Sequence, residues 1–205
     1  MFVDFSNAYL RQYLADTYCA SHARRFDILC EHLTRVVPAL QTGQKLAAVL
    51  DIDEVILSNI HTNSYIDAQN EFYACDYFQG PDGKPWPRGE QLGPLLPGAR
   101  KLIDTLQHLD VDIFFITGRL EALRDETIKN FALVGLADTL LDATRLIMCP
   151  SALPIGASIQ PWKESCRALI DHQHRIILNV GDQASDLGLY SGVQVLCQHP
   201  FYFTV

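Results

Sequence analysis

The stretch Lys45-Leu46-Ala47-Ala48-Val49-Leu50-Asp51-Ile52-Asp53-Glu54-Val55 constrains the rest of the chain more than any other. Its apolar run has no polar alternation, which predicts a strand over residues 45–51 buried on both faces, as in a parallel sheet. Residues i and i+2 of an extended backbone project from the same side, so Asp51 and Asp53 leave the strand together. They do so at its carboxyl end, where open α/β sheets place their ligands. Carboxylates next to an apolar strand are costly to desolvate, and groups kept at such a cost concentrate at functional sites.

Three further apolar runs have the same character: Val111 to Ile116, Arg145 to Cys149 and Arg175 to Val180, with a shorter one at Val193 to Cys197. Helical spacing separates them, over residues 98–110, 121–134 (stopped by Gly135) and 162–172. Strands alternating with helices predict an α/β fold, a three-layer, doubly wound parallel sheet. Ahead of it, Phe5, Tyr9, Tyr13 and Leu14, then Phe26, Leu29, Leu33 and Val36, fall at helical spacing and predict two amphipathic helices over residues 4–37, ended by Pro38. The expected organisation is a helical segment, 1–44, packed on a core, 45–205, with a small insertion over about 56–96. Within that insertion a helix is expected over 58–72, followed by a turn-rich loop at 79–87. Tyr65, Phe72, Tyr73, Tyr77, Phe78 and Trp86 lie in or near this loop, which follows the Asp51–Asp53 edge and is the candidate substrate rim.

The net charge of −8 over 205 residues argues against a nucleic-acid polymer or an anionic membrane surface as partner. It leaves room for a small phosphorylated molecule, since a local cation can override the global sign. No apolar run reaches transmembrane length. The start, Met1-Phe2-Val3-Asp4-Phe5, lacks a signal-peptide pattern, which leaves a cytosolic protein or one whose leader has been removed. Six cysteines (Cys19, Cys30, Cys75, Cys149, Cys166, Cys197) show no zinc-type spacing and are expected as buried thiols, with an oxidised pair as the alternative in an exported protein.

Three strands end in polar residues: Asp51 and Asp53; Thr117-Gly118-Arg119; and Gly181-Asp182 with Asp186. Lys163 lies upstream of the last. Parallel strands bring their carboxyl ends to one crevice, where four aspartates would repel one another. Mg²⁺ relieves such repulsion and keeps positions for water and a phosphate. Thr117, the Gly118 amide and the following helix start form an anion site. Such parts suit phosphoryl transfer through a carboxylate, with Asp51 attacking phosphorus and Asp53 serving as acid, then base.

Asp51-Ile52-Asp53-Glu54-Val55, Phe114-Phe115-Ile116-Thr117-Gly118-Arg119, Lys163 and Gly181-Asp182-Gln183-Ala184-Ser185-Asp186 together resemble the four ordered motifs of the haloacid dehalogenase (HAD) superfamily of phosphohydrolases. The finer pattern, with Leu96-Pro97-Gly98-Ala99 and the Leu187 that follows Asp186, is similar to its four-aspartate acid phosphatase branch. The resemblance implies a HAD-like Rossmannoid core with the Asp51 strand central, and a Mg²⁺-dependent phosphomonoesterase acting on small metabolites such as nucleoside monophosphates or aryl phosphates. It implies Asp51 as nucleophile and metal ligand, and Asp53 as acid/base with its carbonyl on Mg²⁺. Thr117, Gly118 and Lys163 would hold phosphate, and Asp182 and Asp186 would complete the metal site. Ala184 stands where several relatives carry a large aromatic, which would open the pocket there. Arg119 and Arg124 are expected to brace acidic neighbours. The alternatives are a weakly active storage or binding protein on the same fold, and a signalling receiver, which would need neither Asp53 nor the insertion.

Overall fold

The computed structural model describes residues 8–40, 43–58, 93–136, 140, 144–150, 158–190 and 192–197. The helix expected over 58–72, the loop at 79–87, its aromatic residues and Cys75 lie outside these residues, apart from Ser58 itself. Helix α1 (Ala8–Leu40) leads into β1 (Leu46–Leu50), α2 (Ala99–His108) and β2 (Val111–Leu120). A 3-10 turn (Glu121–Leu123) precedes α3 (Arg124–Leu133), then β3 (Leu146–Cys149), α4 (Gln160–Gln173), β4 (Arg175–Gly181), a 3-10 turn (Ala184–Asp186) and β5 (Val193–Leu196). All neighbouring strand pairs are parallel, in the order β3-β2-β1-β4-β5. The Asp51 strand is therefore central, between the strands that end at Thr117 and at Asp182.

Alternation along β1 sorts the chain into layers. Leu46, Ala48 and Leu50 face one side and join Phe26, Leu33, Leu102 and Phe131 in the larger core, which α1, α2 and α3 cover. Ala47 and Val49 face the other side and pack with Phe114, Ile116, Cys166 and Ile170, under α4. This α/β, three-layer arrangement follows from right-handed crossovers: two steps outward from β1 put α2 and α3 on one face, and the return from β3 to β4 puts α4 on the other.

Two expectations need correction. The predicted pair of N-terminal helices is one continuous helix, because residues 8–37 contain no glycine or proline to interrupt the backbone ladder. Pro38 lies inside its last turn, where it withdraws a single N–H two residues before the end. Strand β2 also does not stop at Ile116. It runs to Leu120 with a break in its pairing to β3: Thr117 opposes Met148, Leu120 opposes Cys149, and Gly118 and Arg119 bulge out between them. Bulges re-aim side chains at sheet ends, and this one turns Arg119 toward Asp53.

The described stretches before and after residues 59–92 run side by side. Leu57 and Leu95 form an antiparallel bridge, and Ser58 N–H donates to the Pro94 carbonyl at 2.9 Å. The fully buried Asn130 of α3 holds Gly93 through both its N–H (2.8 Å) and its carbonyl (2.7 Å). The described residues on either side of 59–92 are thereby held beside Asp53. No described helix is long and apolar enough to cross a membrane.

Candidate active site

Asp51 follows β1 directly, and its N–H donates to Val180 of β4 at 2.9 Å, so the central sheet carries it to the carboxyl edge. Asp182 follows β4, and Asp186 closes the 3-10 turn behind it. One carboxylate oxygen from each of Asp51, Asp182 and Asp186 lies within 4.8 Å of the others, and all three residues are buried. Asp186 folds back over Gly181, where a Cβ would fall 1.9 Å from that of Asp186; only glycine leaves this space. Gln183 fixes the turn, its N–H donating to Asp186 Oδ2 (3.0 Å) and its side-chain amide to Asp182 Oδ2 (2.7 Å).

Lys163, in the first turns of α4, reaches into this cluster. Its Nζ lies 3.1 Å from Asp51 Oδ1 and also bonds Asp186 Oδ1. Lys163 is 4% exposed, unlike the usual solvated lysine near a helix start. Burial alone would lower its pKa, but the carboxylates of Asp51 and Asp186 outweigh that and hold the ammonium charged. Burial pushes the Asp51 carboxyl well above the usual carboxylate range, opposed by Lys163 and reinforced by Asp186 and Asp182. Burial likewise raises Asp182, to about 7. When ionised, the three buried carboxylates carry more negative charge than the one lysine that reaches them can balance. Hard oxygen donors in that balance fit a hard divalent cation, so the residues present suit the metal that the motif pattern implies.

Asp53 is placed differently. Its side chain turns from the triad to Arg119, whose Nε approaches both carboxylate oxygens (3.0 and 3.1 Å) and whose Nη2 approaches Oδ1 (2.7 Å). Arg119 also donates to Thr127 at 3.2 Å. Such a bidentate pair fixes orientation as well as charge. Arg124 braces Glu121 in the same manner (2.9 Å between Nη2 and Oε2). Thr117 is fully buried just before the bulge in β2, its hydroxyl accepting the Arg119 N–H (3.1 Å), whereas Gly118 is exposed on the bulge.

Four contributors escaped the sequence reading. Glu54 is fully buried with φ 59°, a conformation uncommon outside glycine, and the Tyr18 hydroxyl of α1 donates to its carbonyl at 3.0 Å. Tyr18 gave no signal beyond an aromatic stripe that reads as core. Arg167 did give one, since it stands one turn after Lys163 on the same helical face. Asn130 gave none, because an asparagine on a helix normally reads as exposed.

The description "HAD superfamily, subfamily IIIB (Acid phosphatase)" matches residues 4–199 of this chain. The chain belongs to that family. Acid phosphatase 1 of Solanum lycopersicum is 29% identical over 140 residues, which is 68% of this chain and 51% of that protein, so the chain spans about half the length of the curated relative it matches. Among solved structures, the class C acid phosphatase of Bacillus anthracis aligns at TM-score 0.66 and 22% identity, over 94% of this chain and 85% of that chain. The same enzyme with tungstate bound aligns at TM-score 0.65 and 21% identity, with the same coverage. At these identities the likeness is one of fold, and it places this subfamily IIIB chain among HAD-like α/β structures. Five of its six cysteines lie among the described residues, and none of those five is joined in a disulfide.

Proposed function

We propose that this chain is a Mg²⁺-dependent phosphomonoester hydrolase working through an aspartyl-phosphate on Asp51. The observation that carries the reading is the meeting of Asp51, Asp182, Asp186 and Lys163 at one sheet edge, with more carboxylate than the lysine can balance. Membership of an acid phosphatase family supports the reaction class. The tungstate bound by a relative of the same fold supports a tetrahedral oxyanion as the ligand.

Asp51 Oδ attacks phosphorus as the bond to the leaving oxygen breaks, and Asp53 gives that oxygen its proton. The Asp53 carboxylate then takes a proton from water, whose oxygen attacks phosphorus and releases phosphate and free Asp51. Arg119 orients the Asp53 carboxylate for the proton it takes in the second step. Lys163, the Thr117 hydroxyl and the Gly118 N–H bind the phosphoryl oxygens. Asp51, Asp182 and Asp186, with the Asp53 carbonyl, would hold Mg²⁺. When bound, Mg²⁺ supplies charge stabilisation on the transferring oxygens. Small phosphorylated metabolites, including nucleoside monophosphates and aryl phosphates, are the substrate class.

Phosphate release from p-nitrophenyl phosphate, with and without EDTA, tests the reading against Asp51→Asn. Loss of turnover in both arms is the expected result, and equal activity of wild type and variant would overturn it. A storage or binding protein on this fold would instead bind Mg²⁺ and phosphate without turnover.

A further inference from the structure

Lys163 meets the carboxylates directly, and Arg167, one turn further along α4, approaches the same region from behind. Arg167 is 1% exposed, with the carboxylates of Asp186 and Glu164 as its charged neighbours. Its hydrogen bonds run to main-chain carbonyls: Nη1 donates to Asp186 (2.9 Å) and Ser185 (3.4 Å), and Nη2 donates to Ser185 (3.4 Å). Asn179 of β4 donates its side-chain amide to the same Asp186 carbonyl. A guanidinium this deep is costly to desolvate, and here all of its hydrogen bonds serve one 3-10 turn. The turn's backbone is gripped on one side while the Asp186 carboxylate faces Asp51 and Asp182 on the other. Gly188 leaves the space for this grip, since a Cβ there would sit 2.6 Å from Arg167 Nη2.

We propose that Arg167 is a positioning residue for the cation site: by holding the carbonyls of Ser185 and Asp186 it fixes where Asp186 presents its carboxylate, and so sets the affinity for a divalent metal. It touches neither metal nor substrate. The proposal rests on the reading of the three aspartates as a metal site. Supporting groups behind metal ligands typically change affinity by ~10- to 100-fold when removed.

The test is titration with Mn²⁺, followed by the electron paramagnetic resonance of the free ion, on the full chain and on Arg167→Met, Arg167→Lys and Gly188→Ala. The expected result is an Mn²⁺ Kd raised ~10-fold or more in Arg167→Met at unchanged stoichiometry per folded chain. Arg167→Lys should restore part of the affinity, because an ammonium can reach one carbonyl but not both. Gly188→Ala should weaken binding with the charge still present, because its methyl displaces the guanidinium. Gly188→Ala and Arg167→Lys decide the matter if Arg167→Met does not fold. A role in stability alone would lower the melting temperature and the bound fraction at wild-type Kd, and that outcome overturns the proposal. Failure of the wild-type chain to bind Mn²⁺ overturns the metal reading itself, and the proposal with it.

Discussion

The two edges of the sheet both gather charged side chains, and they treat them in opposite ways. At the amino edge, Asp112 pairs with Arg145 (2.5 Å) and with His174 Nε2 (3.1 Å), and the Arg145 guanidinium and His174 ring both rest on Phe114. Burial would raise the Asp112 pKa, but Arg145 and His174 outweigh it and hold the carboxyl below the usual range. At the carboxyl edge, burial wins and both Asp51 and Asp182 are held up. The difference lies in local charge balance. Asp112 has a cation of its own and partial access to water, whereas Asp51, Asp182 and Asp186 share one lysine away from solvent. An aspartate with its own partner stabilises a strand start, and a cluster left unbalanced is poised for a ligand.

The sharpest way to break this contrast is a matched pair of substitutions. Asp51→Asn should lower kcat for p-nitrophenyl phosphate by ~10³-fold or more, as removal of a nucleophile does. Asp112→Asn should leave kcat within about twofold, because Asp112 lies at the opposite end of the strands, and should cost only ~1 kcal/mol in urea denaturation. Similar kinetic losses in both would erase the distinction.

Next in size is the removal of a cation from each edge. Lys163→Met leaves Asp51 and Asp186 buried without their partner, and is expected to destabilise the metal-free protein by ~3–5 kcal/mol. Arg145→Met should cost about 1 kcal/mol or less, since Arg145 is 30% exposed. Denaturant midpoints of the two variants, taken in EDTA, make the comparison. An equal cost would mean that burial does not set the difference.

Asp182→Asn tests the same idea with the opposite sign. It removes one carboxylate from an unbalanced cluster while keeping a partner for Gln183, so the metal-free variant should be more stable by ~1–2 kcal/mol, in keeping with strained functional sites elsewhere. If the three aspartates hold Mg²⁺ as proposed, the ion should raise the melting temperature of the wild type and leave that of the variant unchanged. A metal-free Asp182→Asn that melts below wild type would contradict the charge argument.

A separate effect concerns His22, away from both edges. Burial lowers its pKa to about 4, with Arg25 adding to the effect, and its Nδ1 contacts the Pro97 carbonyl at 2.9 Å. The unfolded chain takes up this proton near pH 6.5 and the folded chain only near pH 4, so folding is progressively disfavoured as pH falls through that window. The loss is on the order of 3 kcal/mol when complete. Stability of His22→Asn relative to wild type, measured from pH 7 to 4, should rise as the pH falls. A constant difference would exclude the histidine as the cause.

How much of this was legible in the sequence follows from which interactions are local. The runs ending at Asp51, Ile116, Cys149 and Val180 reveal the sheet because a strand buried on two faces must be apolar throughout. The meeting of Asp51, Asp182 and Asp186 follows once those strands are parallel. The bulge at Gly118 and Arg119 was not legible, because apolarity ends at Ile116 while backbone pairing continues to Leu120. Asp53 reads as a twin of Asp51 by alternation, yet an arginine 66 residues away turns it aside. The continuity of α1 was missed because its apolar stripe weakens midway, and a stripe reports what a helix packs against rather than where its backbone ends.

The contact between Lys163 and Asp51 joins residues 112 positions apart. Closing so long a loop costs entropy that local pairing does not recover, so contacts of this kind belong to the late stages of folding. The β1–α2–β2 unit can assemble from neighbouring sequence and bury much of the larger core while holding only one aspartate of the triad. On the proposed reading a nascent or partly folded chain would lack the cation site, and a divalent cation would act on the finished fold alone, drawing the folding equilibrium toward it by mass action.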